Sequence, residues 1–113
     1  MAVGVLITMP ELQKEQYDRM NQEMFGRKRF EPEDAPDGLL VHSAGPTPEG
    51  WYVYDIWKSK EDFERFGDEQ ITPAARKVIG KSGLDRNIQF FEIDALVPVM
   101  LDGSSVRATA RRS

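Results

Sequence analysis

The stretch Gly38–Phe66, GLLVHSAGPTPEGWYVYDIWKSKEDFERF, restricts the fold of this chain more than any other. Leu39 to Gly45 is a short apolar run, Pro46 to Gly50 is turn chemistry, and Trp51 to Trp57 is rich in aromatic and β-branched residues. That succession predicts a β-hairpin. Ser59 then stands where an N-cap belongs, Asp62 follows at capping-box-like spacing, and Phe63 and Phe66 fall on one helical face. The same stretch holds the single histidine, both tryptophans and an aspartate inside a strand. Scaffold and candidate site are thus encoded together.

The flanking segments complete a pattern. Val3, Val5, Ile7 and Met9 alternate with Gly4, Leu6 and Thr8, which predicts a strand closed by Pro10, a residue suited to start a helix. From Leu12 to Phe25, Tyr17, Met20 and Met24 recur at spacings of three and four and predict a narrow apolar stripe packed on a sheet. Gly26 ends that helix. GRKRFEPEDAPDG is then a charged linker, long for a compact domain, and reads either as a lid or as a solvated connection. Thr72-Pro73 predicts an N-cap and first helical residue for a short helix through Val78 and Ile79, stopped by Gly80 and Gly83. Ile88 to Val97 predicts the last strand, ended by Pro98. The order βαββαβ is the α+β, ferredoxin-like split βαβ arrangement, a four-stranded antiparallel sheet with helices on one face. Its other face still carries aromatics and needs a cover, so a homodimer is expected.

Composition narrows the function classes. At 113 residues the expectation is one domain, 1–98, followed by a flexible basic tail, 99–113, with Arg107, Arg111 and Arg112. The absence of cysteine excludes disulfides, a thiolate nucleophile and sulfur-bound zinc, and one histidine excludes a multi-histidine metal centre. No EF-hand or glycine-rich phosphate loop is present. A net charge of −4 is a poor match to a phosphate backbone, so nucleic acid is not the expected partner. No apolar run approaches the ~18–20 residues that span a bilayer, and MAVGVLITMP lacks the basic region and cleavage site of a signal peptide. The expectation is a cytoplasmic protein with no membrane partner.

Strand alternation puts Trp51, Val53, Asp55 and Trp57 on one face of the third strand and Tyr52, Tyr54 and Ile56 on the other. If Pro46 to Glu49 form the hairpin loop, Gly45 pairs with Gly50, and His42 comes opposite Val53 and diagonal to Asp55. A loop one residue longer or shorter moves His42 to the opposite face. Three plainer readings stand beside this one. His42 is a satisfied structural or surface histidine, Asp55 holds a dimer contact through Arg76 or Arg86, and both tryptophans are core.

The short apolar first strand, the helix with EQYD, the hairpin GLLVHSAGPTPEGW and the following VYDIWKSKEDFERF resemble the dimeric α+β-barrel superfamily, and within it the antibiotic-biosynthesis-monooxygenase type. The resemblance covers roughly residues 3–97. It implies two sheets face to face across a two-fold axis, with a cavity between each sheet and its own helices or within the barrel. The superfamily's activities include cofactor-free oxygenation of phenolic polyketides, haem degradation, lactone isomerisation, and detoxifying or signalling roles. Haem degradation is disfavoured, because such relatives use an Asn on the first strand and a His on the helix after the third, and neither occurs here.

The resemblance further implies that Trp57 lines the substrate cavity, which brings Trp51, Val53 and Asp55 to the same side, with Phe63 and Phe66 from the next helix as further substrate-binding residues. The chemistry such a set serves is proton abstraction from a phenol or enol in an apolar cavity. His42 is the expected base and Asp55 its orienting carboxylate, while the tryptophans stack on a planar substrate and exclude water. The anion so formed can react with oxygen without metal or flavin. The expected function is therefore a cofactor-independent, monooxygenase-like enzyme acting on an aromatic or polyketide-like small molecule. The alternative is a non-catalytic ligand-binding or stress-response dimer of the same fold.

Overall fold

The computed structural model describes residues 1–10, 12–80 and 86–98. Its elements are β1 (Val3–Pro10), α1 (Lys14–Phe25), β2 (Leu39–Pro46), β3 (Gly50–Trp57), α2 (Lys60–Phe66), α3 (Thr72–Ile79) and β4 (Asn87–Glu92). The four strands form one antiparallel sheet in the order β2-β3-β1-β4, the ferredoxin-like α+β arrangement. Among the described residues, no helix is long and apolar enough to cross a membrane. The expected tail, 99–113, lies outside the described residues, as does Gly83.

The apolar face of the sheet follows from strand alternation. Val5, Ile7, Met9, Trp51, Val53 and Trp57 point to the helices and form the core with Leu12, Phe63 and Phe66. Met20 of α1 meets Ala74 and Ala75 of α3 in a second cluster, where the small alanines allow the two helices to approach closely. Pairing registers place His42, Asp55, Val5 and Phe90 in a single row across all four strands, and Ala44, Val53, Ile7 and Ile88 in the next. Of these two rows, His42, Asp55, Phe90, Val53, Ile7 and Ile88 line the site.

Several expectations need correction. The β2–β3 turn is tighter than a four-residue loop, because Thr47 and Gly50 exchange backbone hydrogen bonds and only Pro48 and Glu49 lie between them. Gly45 therefore pairs with Tyr52 rather than Gly50, and His42 lies directly opposite Asp55 rather than Val53. The slip is two residues, so side-chain parity is kept. A register shift between Leu39 and Val41 leaves Leu40 out of the ladder.

Pro10 remains in β1, paired with Gly50, and α1 begins only at Lys14, with the Gln13 backbone amide bonded by Gln16. Ser59 does cap α2, its hydroxyl accepting from the Asp62 amide. Thr72, by contrast, is not an N-cap. Residues Gly67–Ile71 form a π turn that joins α2 to α3 without a break, and the Thr72 amide is already bonded to the Gly67 carbonyl. The wide turn just before Pro73 makes room for a ring that would otherwise press on the carbonyl four residues back. The last strand stops at Glu92 rather than Val97, since β1 starts at Val3 and the final bond runs from the Ile93 amide to the Ala2 carbonyl. Beyond that point β4 has no strand to pair with.

Candidate active site

The site is built on the row that begins at the β2 edge. Asp55 is only 5% exposed, and a carboxylate so placed needs partners. It has two. His42 Nδ1 lies 2.8 Å from Asp55 Oδ1, and Trp57 Nε1 donates to Oδ2 at 3.3 Å. With Asp55 as a carboxylate, Nδ1 carries the proton, which leaves His42 Nε2 as an acceptor. That nitrogen faces the Tyr17 hydroxyl at 2.6 Å. The result is a continuous chain, Trp57–Asp55–His42–Tyr17, from the core to α1.

Aromatic contacts hold the chain in place. Phe30, from the connection after α1, lies over the imidazole with ring centroids 4.4 Å apart, and Phe25 packs against Phe30 at 4.6 Å. Trp51 meets the Tyr17 ring at 5.1 Å. Burial pushes the Tyr17 phenol up to about 12; the Asn21 side chain offsets part of this, and the negative charge of Asp55 adds to it. Tyr17 is therefore held neutral, as a donor to His42.

This chain opens onto a cavity of about 340 Å³ between the sheet and its helices. Val53, Ile7, Ile88 and Phe90 are on its sheet side, Met20 and Met24 on α1, and Phe63, Phe66 and Ile71 on the α2 side. Tyr17, Asn21, His42 and Asp55 make one end polar, while Glu64, Asp68 and Arg86 add charged groups elsewhere on the wall. Because the sheet rows run from β2 to β4, the cavity crosses all four strands, roughly 14 Å at the usual strand spacing.

Of the residues expected from sequence, His42, Asp55, Val53, Phe63 and Phe66 meet at this cavity. Trp51 and Trp57 share its face of the sheet but lie in the core behind it, Trp51 against Tyr17 and Trp57 against Phe63 and Phe66. Asp55 is paired within its own chain by His42 and Trp57. Tyr17, Asn21 and Phe30 join the site without having been singled out for it. A signal for the first two existed: they are four residues apart on the stripe of Met20 and Met24, so polar atoms were being carried onto a buried face. Phe30 was visible only as a lone aromatic in a charged linker.

No protein-family model matches the chain, and no curated protein matches its sequence. Solved structures do match. A variant of SnoaB, a cofactor-independent oxygenase from Streptomyces nogalater, is similar at a TM-score of 0.53 and 11% identity, over 87% of this chain and 97% of its own. A Deinococcus radiodurans protein provisionally classed as an antibiotic biosynthesis monooxygenase is similar at 0.55 and 13%, over 88% and 99%. A dimeric Bacteroides fragilis protein of unknown function and ferredoxin-like fold is similar at 0.53 and 15%, over 81% and 96%. At these identities the likeness is one of fold, that of the antibiotic-biosynthesis-monooxygenase-like proteins.

Proposed function

We propose that this protein binds a planar, hydroxylated aromatic or polyketide-like molecule in the sheet–helix cavity, removes a proton from it, and so enables its oxygenation without a cofactor. The observation that carries this reading is the His42 imidazole held between Asp55 and Tyr17 at 2.8 and 2.6 Å on the cavity wall. A substrate hydroxyl reaching Tyr17 gives its proton to the phenol oxygen as the phenol passes its own proton to His42 Nε2. The imidazolium formed is stabilised by Asp55, and Trp57 keeps that carboxylate aimed. Tyr17 ends neutral, as its raised proton affinity requires, so no tyrosinate accumulates. The substrate anion stays in an apolar enclosure, electron-rich and open to attack by oxygen.

Catalytic roles thus fall to His42 and Asp55, as the sequence suggested, with Tyr17 as the group nearest the substrate. Val53, Phe63 and Phe66 supply apolar contact, while Trp51 and Trp57 act by packing Tyr17 and orienting Asp55. The fold shared with a cofactor-independent oxygenase supports the oxygen chemistry. We further propose a homodimer joined through the sheet face away from the helices, where Val41 and Phe91 are 40% and 44% exposed beside Tyr52, Tyr54 and Ile56. The described dimer of the same fold supports it.

The test is turnover of phenolic substrates, followed by oxygen uptake. His42→Ala is expected to lower the rate roughly 10²-fold or more, the contribution of a general base, and Tyr17→Phe by a similar factor. Asp55→Asn should cost less, since it misorients the imidazole without removing it. An unchanged rate in His42→Ala overturns the mechanism. Binding with no oxygen uptake in the parent protein identifies it instead as the non-catalytic ligand-binding dimer.

A further inference from the structure

Asn21 is 1% exposed, lines the cavity one helical turn beyond Tyr17, and has an unsatisfied atom. Its Nδ2 donates to the Lys28 carbonyl at 3.0 Å, which fixes the carboxamide with Oδ1 turned the other way. That Oδ1 is buried and has no hydrogen-bond partner among the described residues. Native interiors seldom leave an acceptor so placed, because a dry lone pair forfeits its hydration with nothing in exchange. An inventory of the neighbouring groups shows what is missing. Both imidazole nitrogens are engaged, by Asp55 and Tyr17, and both Asp55 oxygens are engaged, by His42 and Trp57. The Tyr17 hydrogen is committed to His42. Trp51 Nε1, behind Tyr17, is also buried without a partner, but Trp51 does not line the cavity; among the described lining groups at this end, what is left to offer is therefore lone pairs, on Asn21 Oδ1 and on the Tyr17 oxygen.

We infer that Asn21 Oδ1 is a specificity-determining acceptor, so that the cavity selects an aromatic bearing hydroxyl donors over its ether or carbonyl counterparts. This rests on the function proposed above and names the chemical form of its ligand. One hydroxyl meets Tyr17, where its proton can leave, and a second meets Asn21, where it only orients the ring. A quinone or a methyl ether in the same place sets its own lone pairs against Oδ1 and leaves the acceptor dry.

The experiment is calorimetric titration with three probes of one shape, dihydroxynaphthalene, its dimethyl ether and naphthoquinone. In the parent protein the diol is expected to bind about tenfold or more tighter than either analogue. In Asn21→Leu, which keeps the volume and removes the acceptor, the three should converge to within about twofold. Asn21→Ala carries the same expectation should the leucine variant fail to fold. His42→Ala separates this inference from the catalytic one: it should retain the preference for the diol even where turnover is lost. A parent protein indifferent to the hydroxyls, or an Asn21→Leu variant that still prefers the diol tenfold, overturns the role of Asn21 and leaves the proton relay standing. Failure of all three probes to bind overturns the cavity assignment and this inference with it.

Discussion

Tyr17 is the residue on which the proposed chemistry turns, and its environment can be read out directly. Folded, it holds its proton to about pH 12, whereas an unperturbed tyrosine titrates near 10. The stability linked to that proton is fully present below pH 10 and is lost as pH rises through 12, because the unfolded chain releases its proton first. The difference amounts to about 3 kcal/mol. A tyrosinate absorbance titration should therefore show a late component among the three tyrosines, and Tyr17→Phe should remove that component and no other. A titration in which the late component survives Tyr17→Phe would assign the buried phenol elsewhere. At this scale the sequence was informative where residue type was unusual for its element. Asp55 stood out because strands disfavour aspartate and burial penalises it, and His42 because it is the only histidine. Tyr17 did not stand out, since a tyrosine on an apolar helical stripe has an ordinary packing role, and only the three-dimensional approach of β2 to α1 reveals the partner of its hydroxyl.

Among the elements, the hairpin and the capped helix behind it were legible, and the junctions were not. Strand alternation depends only on parity, so the shared face of His42 and Asp55 survived a two-residue error in the turn. The π turn left no such trace. Thr-Pro is an ordinary helix start, and whether the chain breaks there depends on the packing of Ala74 and Ala75 against Met20. Likewise, the end of β4 is set by where β1 begins. One junction makes a sharp prediction. Gly38 has φ +92°, its carbonyl accepts from the Lys58 amide at 2.7 Å, and a Cβ built on it would run into the Asp62 side chain. Both backbone conformation and space exclude a side chain. Gly38→Ala should cost about 1–3 kcal/mol in denaturant unfolding, and a variant as stable as the parent would show that the start of β2 can readjust.

For the whole molecule, the sheet buries one face against helices and leaves the other with Val41, Tyr52, Tyr54 and Phe91 at or near the surface. An apolar face of that kind is expected to be covered by its copy, with an interface of about 1,600 Å² or more in total. Sedimentation should find a dimer at micromolar concentration; a stable monomer would contradict it. Removal of the residues after 100, whose sequence LDGSSVRATARRS is polar and basic, should leave melting temperature and dimer unchanged. A clear fall in either would give those residues a docking role.

The helical arm from Lys60 to Ile79 also contains one residue more than its path requires. A turn closed by a bond to the fifth residue back does the work of one closed to the fourth, so the surplus is spent in place and the stripe downstream keeps its phase. Deleting the exposed Gln70 should therefore not rotate α3: Ala74 and Ala75 would still meet Met20. What the deletion removes is the slack around Pro73, at a cost of about 3 kcal/mol as the ring meets the carbonyl of an ordinary turn. Combining it with Pro73→Ala should recover most of that loss in denaturant unfolding, and a double variant no more stable than the single deletion would mean that the extra residue serves the cavity wall rather than the proline.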